Sequence, residues 1–130
     1  MIFPNFVQPE HHIKTQTNPL LEPSVFKKVE VLLKSYPHDL ILMNPEVPAM
    51  PSRDIEIRAR KDHPPKLGFS KAEGKARMLH DLASIELQAM ELGLRTLFDF
   101  PNAAAEFREE LAGIAISEAR HLNMCLLEIK

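Results

Sequence analysis

Ten of the eleven prolines in this 130-residue chain precede residue 69, and only Pro101 follows. Proline has no amide hydrogen, and its ring clashes with the carbonyl four residues earlier, so it ends or kinks a helix. Long helices are therefore confined to the second part of the chain. The distribution divides it into a Pro-rich arm over 1–69 and a helical hairpin over 70–130. Pro4, Pro9, Pro19 and Pro23 keep residues 1–23 extended. Ser24 to Ser35 reads as one short helix with Val25, Phe26, Val29, Leu32 and Leu33 on its apolar side, ended by Tyr36-Pro37. Leu40 to Met43 is too short to assign. Pro45, Pro48 and Pro51 recur every third residue, which favours local polyproline geometry. Arg53 to Lys61 is densely charged, and His63-Pro64-Pro65 breaks the chain again. The arm has enough apolar residues to pack along a helical body rather than remain disordered.

After Phe69 the texture changes. Ser70-Lys71-Ala72-Glu73 has the form of a capping box, in which serine and glutamate satisfy the free amides of a helix start. No proline follows until Pro101, so one helix can run from about Lys71 to Phe98, roughly 42 Å long. Its inner stripe reads Leu79, Ala83, Glu86, Met90, Gly93 and Leu97, flanked by Met78, Leu82, Ile85, Ala89 and Leu92. Asp99-Phe100-Pro101-Asn102 is a tight connection, with Asn102 or Asp99 available as the next cap. A second helix from about Ala103 to the end carries Phe107, Leu111, Ile114, Glu118, His121 and Cys125 on one face, at steps of 4, 3, 4, 3 and 4. So short a link implies an antiparallel pair.

Each long helix thus has an apolar line interrupted by ligand-type residues, Glu86 on one and the Glu118/His121 pair on the other. With the turn centred near residue 100, Glu86 lies level with about residue 115. Glu118 is then offset by roughly 4.5 Å along the axis. At interaxial distances of about 8–10 Å the three side chains can converge. A buried ion pair with Arg77, Arg95, Arg108 or Arg120 is the competing explanation for each carboxylate, but it rarely interrupts two adjacent helices at one depth. His80 sits six residues before Glu86 at the stripe edge, as a surface histidine or as a residue that orients a ligand. Glu91 lies off the stripe, solvated or ion-paired. His11, His12, His38 and His63 fall in the arm and carry no metal role, and Cys125 reads as a small core residue.

Composition limits the function classes. Net charge is −2 at neutral pH, with no basic patch and no long run of like charge, so there is no nucleic-acid signal. One cysteine excludes an intrachain disulfide and fits a reducing compartment. No apolar run is long enough to span a bilayer, and MIFPNFVQPE lacks the basic start and apolar core of a secretion signal. A cytoplasmic protein with no membrane partner is expected.

Leu79-His80, Ile85-Glu86-Leu87-Gln88-Ala89-Met90-Glu91-Leu92, Phe100-Pro101 and Ser117-Glu118-Ala119-Arg120-His121 together resemble the uncharacterised bacterial ferritin-like family of the di-iron carboxylate superfamily. The similarity runs over about residues 50 to 130. The implied fold is all-α: a long antiparallel helical hairpin, half of a four-helix bundle, preceded by the Pro-rich arm with one short helix. The resemblance implies a metal half-site of Glu86, Glu118 and His121, with Glu118 bridging and Glu86 and His121 terminal. Many relatives place a second histidine where this chain has Ser84. Only the first half of the domain is represented, so a second copy or a C-terminal half is expected to complete the site. Carboxylates and imidazole suit iron, or manganese in its place. The expected function is that of an oxygen-activating di-iron protein of ferroxidase or oxygenase/hydroxylase type, with dioxygen and a homo-oligomeric copy as partners. The alternative is a non-enzymatic helical interaction or scaffold module with buried polar residues and no metal.

Overall fold

Sequence places a short helix first, and the structure begins there. The computed structural model describes residues 18–56, 68 and 71–129, and every regular element among them is helical. A single 3-10 turn over Pro19–Leu21 precedes helix α1, Val25–Leu33. Ser24 caps α1, its hydroxyl accepting from the Lys27 amide at 3.3 Å. Val25, Val29 and Leu32 face the core as expected, but Phe26 is exposed and Leu33 borders on exposure. The inward place between Val25 and Leu32 goes to Lys28 instead.

Tyr36-Pro37 does not simply end a helix. Pro37 is the first residue of helix α2, Pro37–Leu42, where its missing amide costs nothing and its fixed φ suits the turn. The Asp39 carboxylate accepts from the Tyr36 amide at 2.8 Å, closing that helix start. Residues 43–56 form neither helix nor strand, as three prolines dictate. They fold back over the start of the described chain: the Ser52 amide donates to the Leu20 carbonyl at 2.8 Å, and Asn18 Nδ2 to the Glu46 carbonyl at 3.3 Å.

Helices α3, Ala72–Asp99, and α4, Ala105–Ile129, make the body. Ser70 of the expected capping box lies outside the described residues, and the helix start is occupied by Lys71. Helix α4 begins at Ala105, and the Arg108 amide donates to the Ala104 carbonyl at 3.0 Å, so the capping position falls on Ala104 rather than Asn102 or Asp99. The connection is accordingly centred near residue 102, two residues later than expected. The register itself is set by Gly93, which packs against Ala115, so Glu86 lies level with about residue 122.

Packing then rotates both buried faces from the ones the sequence pattern suggests. On α4 the buried residues are Arg108, Ala112, Ala115, Ile116, Ala119 and Leu122, one position round from the Phe107–Cys125 line. Phe107 and Ile114 of that line are exposed. On α3 the buried set adds Leu87, Glu91, Leu94 and Phe98 to Met90, Gly93 and Leu97, while Met78, Leu82, Ile85 and Leu92 of the expected flank face outward. The physical reason is the identity of the covering layer. Helices α1 and α2 pack on α4, and the alanine stripe lets them approach closely where the larger Phe107 and Ile114 would hold them off. Leu20, Val25, Val29, Leu32 and Leu40 from the N-terminal segment join the hairpin's own leucines in one hydrophobic core. At Gly93 the helices come so close that an added Cβ would lie 3.5 Å from that of Ala115.

Candidate metal centre

The rotation of the core leaves the three ligand-type residues at the edge of the α3–α4 seam, turned from the N-terminal layer. Glu86 reaches that edge from the middle of α3, and Glu118 and His121, one turn apart, reach it from α4. His121 Nδ1 lies 3.6 Å from Glu86 Oε2 and 3.6 Å from Glu118 Oε2. One donor atom from each of the three falls within 4.8 Å of the others. Both carboxylates are half-buried, while His121 is 52% exposed at its side chain. Glu86 Oε2 is itself buried and has no hydrogen-bond partner among the described residues.

Three of the four arginines that offered an ion-pair explanation are engaged elsewhere, and Arg120 is exposed. Arg77 meets Asp81 on its own helix, and Arg95 donates to the Pro48 carbonyl at 2.7 Å and lies 3.7 Å from Asp99. Buried Arg108 donates to the carbonyls of Ile41 and Leu97, each at 3.3 Å. Those carbonyls belong to the last turns of α2 and α3, where a cation offsets the negative end of the helix dipole. Among the described residues neither Glu86 nor Glu118 has an arginine partner.

The donor set can hold a divalent cation. Octahedral bonds of about 2.1 Å put ligand atoms roughly 3.0 Å apart when adjacent and 4.2 Å when opposite. The two His121–carboxylate separations of 3.6 Å fall between those values, and all three donor atoms lie within 4.8 Å of one another. A buried carboxylate oxygen without a donor is costly, and a cation removes that cost. Two carboxylates and an imidazole are hard or borderline ligands of the kind iron and manganese take.

His80 belongs to a different place. Its Nδ1 lies 2.8 Å from the Ala76 carbonyl, one turn back on the same helix. The ring lines a cavity of about 610 Å³ together with Val25, Phe26, Arg77, Leu87 and Leu126. Among the described residues no hydrogen bond joins it to Glu86, Glu118 or His121. Spacing alone separates them: six residues place His80 about 120° round the helix from Glu86.

Sequence reading left Glu91 between solvated and ion-paired, and the structure makes it a buried carboxylate paired with two cations. Its oxygens accept from the Lys28 ammonium and the Arg53 guanidinium, with Arg53 Nε at 3.0 Å from Oε1. The signal that could have found this was Lys28 itself, three residues from Val25 and four from Leu32 on the inward side of α1.

A family profile described as "Protein of unknown function (DUF455)" matches residues 9–130. The chain belongs to this family. The match spans both the N-terminal layer and the hairpin, so DUF455 includes the elements that build the core and those that carry the three ligand-type residues. No curated protein and no solved structure matches the chain. The DUF455 description assigns no activity, and the chemistry is read from the site.

Proposed function

We propose that this chain is a ferritin-like di-iron carboxylate protein of oxygen-activating type, with Glu86, Glu118 and His121 as one half of its metal site. The observation that carries the reading is the convergence of these three side chains from two helices around a buried carboxylate oxygen that has no donor. In ferritin-like bundles two helices each give one Glu and two others each give Glu-x-x-His. This hairpin presents one of each, so the remaining ligands come from outside it. Glu86, Glu118 and His121 would hold the metal from this side. Iron held there would supply the reducing electrons for dioxygen chemistry of the ferroxidase or oxygenase kind. The chain's own contribution is to hold the three donors on two packed helices.

A second reading, a metal-free interaction module, is favoured by one observation: His121 Nδ1 lies 3.6 Å from both carboxylates and can pair with them without a metal. Iron analysis after anaerobic loading separates the two. The di-iron reading expects about one iron per chain in the wild type, and an iron-free Glu118→Ala variant with unchanged helical circular dichroism. Fewer than about one iron per two chains in the wild type would sink the di-iron reading. The metal-free module expects Glu118→Ala to lower stability with iron present or absent.

A further inference from the structure

Helix α3 carries a second polar face, turned from Glu86. Gln88, Glu91, Leu92 and Arg95 lie between about 140° and 240° round the helix from that residue. They floor a cavity of about 280 Å³ whose walls are Leu20, from the 3-10 turn, and Pro51 and Arg53, from the connecting segment. Two hydrogen bonds fix those walls. The Ser52 amide donates to the Leu20 carbonyl at 2.8 Å, and Arg95 Nη1 donates to the Pro48 carbonyl at 2.7 Å.

We propose that this cavity binds a small organic monocarboxylate, its charged end against Arg53 and Arg95 and its apolar body against Leu20, Pro51 and Leu92. The site is separate from the metal half-site and needs no ion.

Three observations select that ligand. The first is charge. Lys28 and Arg53 bring two positive charges to the cluster and Glu91 brings one negative, so one positive charge is left over in a largely buried place. Arg95 is balanced by Asp99 at 3.7 Å, and Asp54 is turned to the Val25 amide and lines the larger cavity. Among the described residues Glu91 is the one carboxylate lining the small cavity. An excess charge that water solvates poorly draws a counter-ion, and a single excess charge suits a monoanion.

The second is the donor set. Glu91 takes the Nε and Nη2 groups of Arg53, and the Pro48 and Ala49 carbonyls take Nη1 of Arg95. Arg53 Nη1 and Arg95 Nη2 have no hydrogen-bond partner among the described residues. Guanidinium groups present planar pairs of N–H donors that match a carboxylate. Gln88 adds no charge, since its amide donates back to the Ser84 hydroxyl at 3.0 Å. The third is shape. The volume holds roughly nine water-sized groups, and three of the lining residues are apolar, so there is room for a short organic body beside the charged end.

The test is calorimetric titration of the full 130-residue chain with hexanoate as the probe, checked by the rise in Tm that a ligand of the folded state produces. One hexanoate per chain is expected to bind with Kd at or below about 1 mM, within what a ligand of that size can supply. Hexanamide, which lacks the charge, and inorganic phosphate, which lacks the body, are each expected to bind about tenfold more weakly or worse. Arg95→Gln is expected to weaken hexanoate by about tenfold with helical circular dichroism retained. Leu92→Glu changes an exposed residue, places a like charge at the mouth and is expected to abolish binding, so it decides the matter even where Arg95→Gln disturbs the fold. Neither heat nor a rise in Tm with hexanoate up to about 10 mM overturns the proposal. Equal binding of hexanamide overturns the charge recognition, and phosphate binding as tightly as hexanoate overturns the monocarboxylate. Hexanoate binding unchanged in Leu92→Glu overturns the choice of cavity.

Discussion

Glu91→Ala is the substitution from which the structure predicts the largest loss of stability. Lys28 is wholly buried on α1, Glu91 is nearly so on α3, and Arg53 reaches the same carboxylate from the connecting segment with its side chain 20% exposed. Removing the carboxylate leaves the buried Lys28 ammonium without its counter-ion. Breaking a buried pair from one side costs about 3–5 kcal/mol, a large share of the roughly 5–15 kcal/mol that holds a domain together. In thermal unfolding that corresponds to a drop in Tm of about 10–20 °C. The opposite truncation is milder. Lys28→Met keeps the volume and leaves Glu91 with Arg53, so it is expected to cost about 0–2 kcal/mol. The double variant Lys28→Met/Glu91→Leu replaces the pair with apolar bulk and frees Arg53 to turn to solvent, and is expected to recover most of the loss. Urea unfolding followed by circular dichroism measures all three. A cost below about 1 kcal/mol for Glu91→Ala, or a double variant no better than the single one, would refute the reasoning, because it would mean that Lys28 is not held buried by its charge partner.

Two further outcomes test local features. Gly93→Ala places a Cβ at ordinary contact distance from Ala115, and Gly113→Ala meets nothing within 4 Å, so both are expected to stabilise the protein by about 0.5–1 kcal/mol in urea unfolding through helix propensity alone. A marked loss at Gly93 with a gain at Gly113 would show that the helices approach more closely there. Ser24→Ala removes the acceptor for the Lys27 amide and is expected to cost about 1 kcal/mol in the same assay, with Ser24→Asp retaining stability.

The sequence by itself determined where long helices can exist. Proline excludes them before residue 69, and its absence between Phe69 and Pro101 allows the 28 residues of α3, because these are constraints of single residues on their own backbone. It also determined that Glu118 and His121 stand one turn apart on the same face of α4, since helical pitch fixes that relation whatever surrounds the helix. The depth of Glu86 was legible only to within about two turns from the length of the connection, because the close approach of Gly93 to Ala115 sets the register. Which face is buried was decided only by tertiary structure. A pattern of large apolar residues marks what could be covered, but Phe107 and Ile114 stay exposed because the N-terminal helices settle on the alanine stripe beside them. The pairing of Lys28 with Glu91 across 63 residues and the clasp of Arg108 on the ends of α2 and α3 belong to the same class. Long-range contacts depend on which surfaces meet, and no local periodicity encodes that choice. The metal half-site combines both: helix pitch set its spacing, and the one-sided N-terminal layer left it facing outward.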